Sequence, residues 1–145
     1  MSSPHDEAGS VQRSFRFSRR TLRLLDERAR ELSESRNGLV ERLIDEGLHT
    51  DRHPQISFRE GASGVRRPAL TGTRLYVWQV METLRASDNS VRDAAEYLGV
   101  TERQIRAAVD YYADFREDVE AQAAEDREIE RRERERWERA QRVLE

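Results

Sequence analysis

The chain has 145 residues and 17.0 kDa, with 36% hydrophobic and 38% charged residues; that allows one ordinary domain or two very small ones, and so polar a composition leaves part of the chain without a core of its own. With 26 basic residues against 29 acidic ones the net charge is −3, so any nucleic-acid site must be a local patch and not a uniform basic coat. The absence of cysteine excludes disulfides and thiolate metal sites, and three scattered histidines, His5, His49 and His53, do not make a zinc site.

Residues 1–10 are Ser-, Gly- and acid-rich without periodicity and are expected to be a disordered tail. Ser14-Phe15-Arg16-Phe17-Ser18 alternates polar and apolar residues, the period of a short strand with one buried face. Ser18 suits a helix N-cap, and Leu22, Leu25, Ala29 and Leu32 predict a helix over 19–33. Ser35 is a second cap, followed by Val40, Leu43, Ile44 and Leu48 in a helix over 36–48. Residues 49–55 are polar and contain Pro54, so they read as a linker. Ile56-Ser57-Phe58 opens a strand, Gly61 and Gly64 flank a turn, and Val65 to Leu70 return as its partner. Thr73 is placed to cap a helix carrying Leu75, Val77, Trp78, Val80, Met81 and Leu84, with Trp78 in the core. Asn89 and Ser90 cap the next helix, in which Ala94, Ala95 and Leu98 point inward. Gly99 stops that helix and Thr101 caps another, carrying Ile105, Ala108, Val109 and Tyr112.

From Arg116 to Glu145 the composition changes: 8 Arg and 11 acidic residues make 19 of 30 residues charged. Glu128/Arg132, Glu130/Arg134, Glu135/Arg139 and Glu138/Arg142 have the favourable four-residue spacing, worth about 0.3 kcal/mol each on an exposed helix. This stretch is expected to be a marginal helix without a tertiary core. The fold class is therefore mainly α. A dimeric strand-helix-helix unit spans 11–48, and a small α+β unit with a β-hairpin and a helix-turn-helix-like bundle spans 56–115. A charged helix spans 116–145.

One strand and two short helices cannot bury enough surface alone, and the economical solution is a dimer whose two strands pair antiparallel. Phe15 and Phe17 then face the helices, while Gln12, Ser14 and Arg16 project from the opposite face. Five arginines (13, 16, 19, 20 and 23) and no acid lie between Val11 and Leu25, a local basic footprint in an acidic chain. A two-stranded ribbon fits the major groove of DNA, where Arg16 matches guanine O6/N7 and Gln12 and Ser14 match base edges.

These residues resemble a family. Ser14-Phe-Arg-Phe-Ser18, the Leu22/Leu25/Ala29/Leu32 helix and Ser35-Arg36-Asn37-Gly38-Leu39-Val40 look like the ribbon-helix-helix repressors and antitoxins, over about residues 11–48. The resemblance implies an obligate homodimer that reads operator DNA with the outward strand residues. It also implies phosphate contacts from Arg19 in the basic run and from Ser35, Arg36 and Asn37 at the start of the second helix, where free N–H groups suit an anion. Many members carry Gly in the turn between the helices; this chain has Glu34 just before the cap.

Arg67-Pro68-Ala69-Leu70-Thr71-Gly72-Thr73-Arg74-Leu75-Tyr76-Val77 resembles the motif R-P-x-I-x-G-T-R-I-x-V of a small antitoxin-associated domain, over about residues 56–115. That resemblance implies a PIN-like ribonuclease toxin as partner. For the closing helices two readings stand side by side. Arg103, Gln104 and Arg106 lie in a DNA groove, or the helices form a dimerisation or toxin-docking unit, which Asp93, Glu96, Glu102, Asp110 and Asp114 favour by repelling phosphate.

On the final helix Val119, Ile129, Trp137, Ala140, Val143 and Leu144 fall on one narrow stripe, suited to a partner's groove. The alternative is a solvated charged helix. Antitoxins commonly neutralise through such a C-terminal segment, so the resemblance implies toxin contacts from Ile129, Arg132, Arg136, Trp137 and Leu144. An arginine among Arg131, Arg132, Arg134 and Arg136 would pair with the carboxylates that hold the ribonuclease's metal.

The function expected is thus an antitoxin of a type II system that represses its own operator as a dimer and neutralises a ribonuclease. The alternative is a stand-alone dimeric regulator with a separate interaction module. No phosphate-binding loop, zinc-protease motif or nucleophile set is present, so neither catalysis, a cofactor nor a metal is expected. No apolar run of membrane-spanning length and no signal-peptide pattern occur, and a cytoplasmic location is expected.

Overall fold

The computed structural model describes residues 9–61 and 63–145; most of the expected tail, residues 1–8, lies outside them. Backbone contacts divide the chain into two compact units, one ending at Ile44 and one running from Asp45 to Glu145.

In the first unit α1 spans Arg19–Leu32, and the Ser18 hydroxyl accepts from the Thr21 N–H at 3.1 Å, as its sequence predicts. The helix stops at Ser33, which adopts the left-handed conformation (φ 52°) usually left to glycine. The N–H groups of Ser33 and Glu34 close the end on the carbonyls of Arg30 and Ala29. Glu34, at the departure from the resembled turn, receives both arms of the Arg42 guanidinium (3.2 and 3.3 Å) and so ties the turn to the next helix. That helix, α2, spans Arg36–Arg52, and the Ser35 hydroxyl caps it by accepting from Gly38 N–H at 3.0 Å. It runs through His49–Arg52, where a linker was expected. Nothing in Thr50-Asp51-Arg52 breaks a helix, and the stop comes only where Pro54 disfavours helical backbone in the residue before it.

Among the described residues the strand expected over 14–18 makes no ladder. A strand exists through its hydrogen-bonded neighbour, and the described residues of this unit hold no other strand to pair with it. Burial is correspondingly sparse. Of the expected inward residues of α1 only Ala29 is buried, and Leu39 is the buried residue of α2. Leu22 and Leu32 are 41% exposed, and Leu43 and Ile44 nearly half.

The second unit has a core. β1 (Ile56–Glu60) and β2 (Arg66–Leu70) pair antiparallel, Ile56 opposite Leu70 and Phe58 opposite Pro68, close to the expected hairpin. Gly72 (φ 79°) turns the chain. Thr73 does not cap the following helix. Its hydroxyl donates to Leu70 C=O and accepts from Leu75 N–H, which closes the turn and moves the helix start to Val77. α3 spans Val77–Ala86, α4 Val91–Leu98 and α5 Glu102–Asp114. Ser90 caps α4, Gly99 ends it in left-handed geometry, and Thr101 with Gln104 forms a reciprocal capping box on α5. Ile56, Leu70, Val77, Trp78, Val80, Leu84, Ala94, Ile105, Ala108 and Tyr111 make one buried cluster.

α6 is a single helix, Arg116–Leu144. Its first turns are not a separate appendage, because Val119 and Ala123 are fully part of the core. Buried Arg67 on β2 donates to Glu125 (2.6 Å) and Asp126 (3.4 Å), and the Trp78 indole N–H donates to Asp126 at 2.9 Å. These contacts correct the boundary expected at residue 116. From Arg131 onward every residue is exposed.

Candidate nucleic-acid interface and partner surfaces

Gln12, Ser14, Arg16 and Arg19 are all exposed. Arg13, Arg16, Arg19, Arg20 and Arg23 take part in no ion pair among the described residues, so their charge is available to an outside anion. Phe15 and Phe17 sit on one side of the segment, ring centroids 6.5 Å apart, and line an open groove with Leu22, Leu25, Val40 and Ile44. Arg13, Ser14, Arg36 and Asn37 line the same groove, which brings the basic segment beside the start of α2. Ser14 therefore does not stand opposite the phenylalanines, as strict alternation would require. Without a ladder the segment is not held to the strand period. Arg16 and Gln12 remain outside the groove.

At the start of α2, Ser35 spends its hydroxyl as a cap, Asn37 is exposed, and Arg36 lies 2.7 Å from the Asp26 carboxylate. A phosphate would have to compete with Asp26 for Arg36. A second groove of about 370 Å³, lined by Phe17, Leu24, Leu25, Val40, Leu43 and Ile44, is almost wholly apolar. Exposed leucines at this density in so small a unit mark a surface that expects cover.

In the second unit α4, the Gly99 turn and α5 form a helix-turn-helix. Gln104 is occupied by capping Thr101 N–H at 2.9 Å, while Arg103 and Arg106 are exposed. Of the residues expected to meet a toxin, Ile129 is half-buried beside Tyr76 and Trp78, and Arg132 pairs with Glu128 at 2.9 Å. Arg136 is exposed, Trp137 is 63% exposed and Leu144 80%. Val119 belongs to the core, so the exposed stripe starts only at Ile129.

A cluster went unread in the sequence. His49 stacks on Phe115 at 4.1 Å and shares a hydrogen bond with the Tyr111 hydroxyl at 2.9 Å. His53 reaches Asp114 at 2.7 Å, and Arg52 reaches it at 3.1 Å. Burial pushes the Tyr111 phenol well above its ordinary range. The cluster fastens the end of α2 to α5. The histidines' five-residue neighbourhood of polar residues hid it, since its partners lie about sixty positions away.

The described residues hold no group of histidines and carboxylates suited to a metal, and no helix among them is long and apolar enough to cross a membrane. One family matches part of the chain. Residues 65–112, from the hairpin turn through most of α5, match a family described as a protein of unknown function (DUF433). No curated protein and no solved structure matches the chain.

Proposed function

We propose that this chain is a DNA-binding repressor that works as a ribbon-helix-helix homodimer and serves as the antitoxin of a PIN-like ribonuclease. The observation that carries the DNA-binding half is the run of five arginines between residues 13 and 23 that make no ion pair among the described residues, beside an apolar groove that the single chain leaves uncovered. A second copy that pairs with residues 14–18 would cover the groove and set Arg16 and Gln12 on the outer face of a two-stranded ribbon. Arg19 and Asn37 then flank the ribbon as phosphate contacts, with Ser35 presenting the N-terminus of α2. The antitoxin half rests on the resemblance at Arg67–Val77 and on the exposed outer part of α6, where Trp137 and Leu144 stand among arginines. Such a segment suits a protein groove edged with carboxylates.

The experiment is binding of the full chain to the DNA upstream of its own reading frame, by titration at two salt concentrations. Arg16→Ala is expected to lose about 1–3 kcal/mol of affinity for the specific site, with dimer mass unchanged by sedimentation. Equal affinity of the variant and the parent chain would remove Arg16 from recognition and the ribbon with it.

A further inference from the structure

Along α1, Arg19, Arg23, Asp26 and Arg30 follow at four-, three- and four-residue spacing, which places them on one face of the helix. The three arginines are exposed and take part in no ion pair among the described residues. Asp26 is the one acid in that row. Its Oδ1 is buried and accepts no aligned hydrogen bond among the described residues. What balances it is Arg36, the first residue of α2, whose Nε lies 2.7 Å away. Asp26, Arg30 and Arg36 line one open recess at the turn between the two helices. The first turn of a helix carries partial positive charge, which opposes the Arg36 cation and favours a negative group beside it. Asp26 supplies that group from within the chain, where a backbone phosphate of DNA would otherwise supply it.

We propose that Asp26 withholds Arg36 from DNA phosphates and so limits how tightly the first unit grips a duplex of any sequence. The inference rests on the DNA-binding reading and names a residue that tunes it. The five arginines between residues 13 and 23 already supply a sequence-independent attraction. One more free cation in each copy would strengthen binding to every duplex alike, and an operator would then compete against a larger background. Drawing Arg36 onto a phosphate leaves the Asp26 oxygen buried without its counter-charge, which is costly. Arg16 and Arg19 meet no such cost, because neither is held by an acid among the described residues.

The test is a charge cycle on the full chain, read by fluorescence anisotropy with the DNA upstream of its reading frame and with a scrambled duplex of equal length. Asp26→Asn is expected to tighten binding to both duplexes. Its log–log salt slope should steepen by about 1.8 for the two Arg36 side chains of a dimer, about a tenfold larger loss of affinity between ~50 and ~200 mM salt. Asp26→Asn with Arg36→Ala is expected to return to the parent's affinity and slope. Asp26→Glu, which keeps the charge, is expected to stay near the parent. Weaker binding by Asp26→Asn would make Asp26 a support for Arg36 and overturn the proposal. So would a gain that survives removal of Arg36, the outcome of plain repulsion between Asp26 and phosphate. A second readout needs neither DNA nor a variant. Pyrophosphate added to the parent chain is expected to move the Nε–H resonances of Arg19, Arg23 and Arg30 and to leave that of Arg36 in place. If the parent binds neither duplex, the DNA-binding reading fails, and this titration alone decides whether Arg36 is withheld: an Arg36 resonance that moves with the others overturns it.

Discussion

The two units of this chain solve the same problem with different numbers of elements. The first unit carries leucines and phenylalanines at good helical and strand spacing, yet among its described residues it buries only Ala29 and Leu39 and leaves Phe15 70% exposed. The second has no richer pattern, but a hairpin, three helices and the first turns of α6 close around Ile56, Leu70, Trp78, Ile105 and Tyr111. Two helices meet along one seam, and the remaining apolar faces have nothing opposite them. Under the proposed dimer a second copy supplies the burial that a unit of this size lacks by itself. Apolar spacing states which face seeks cover; the count of elements states whether the same chain can supply it.

The strongest way to break this comparison is a pair of truncations in the two units. Ile105→Ala in the closed core is expected to cost about 2–5 kcal/mol at any protein concentration. Phe17→Ala is expected to act through association, because Phe17 is already 46% exposed in the single chain. Melting followed over a hundredfold range of concentration should show the first unit's transition rising with concentration and the second unit's staying fixed. A first-unit transition that ignores concentration would mean that its exposed groove needs no partner.

The elements that sequence alone located are those with local punctuation. Ser18, Ser90 and Thr101 each accept an N–H three residues on, and Gly99 takes a left-handed angle, so their helices begin and end where the residues say. The hairpin was legible because Gly61 and Gly64 stand between two apolar runs. What stayed hidden depends on distant partners. α2 continues through His49–Arg52 because His49 and His53 dock on Tyr111, Phe115 and Asp114, a contact no local pattern announces. The inner turns of α6 looked like solvated charge because their anchors are the small Val119 and Ala123, and because Glu125 and Asp126 answer Arg67 and Trp78 across the fold. Among the candidate site residues Arg16, Asn37 and Trp137 are exposed as expected. The contact of Arg36 with Asp26 joins two helices and no local pattern announces it, whereas the capping role of Gln104 follows the Thr-x-x-Gln spacing from Thr101.

The same contrast runs within α6. Removing residues 131–145 is expected to leave the second unit's stability within about 0.5 kcal/mol of the full chain, the range for surface changes away from packed features. Cutting at 116 would strip Val119 and Ala123 from the core, with a loss of about 1.5–3 kcal/mol for the buried valine alone. Under the antitoxin reading the shorter deletion keeps DNA binding and releases the ribonuclease. A truncated chain that still silences the toxin in a growth assay would move neutralisation to the helices of the second unit.

The smallest effect expected is an acid response that separates the inner and outer halves of α6. Hydrogen bonds from Arg131 and then Arg132 hold the Glu128 carboxyl down to about 2, against an ordinary 4.5. A carboxyl with a lowered value in the folded helix supports that helix fully above pH 4.5, and its support is lost as pH falls through the folded value near 2. Glu120 is held down as well, first by the Tyr112 hydroxyl and then by Arg85, but there the neighbouring turn is fixed by Val119 in the core. Acid should therefore fray residues 128–144 before it loosens the inner turns. Amide hydrogen exchange between pH 5 and pH 2 reads the two halves separately. Glu128→Gln should remove the step in the outer half and leave the inner turns unchanged. Outer amides that become better protected as pH falls would show that repulsion among the acids of α6, and not the Glu128 ion pairs, governs the arm.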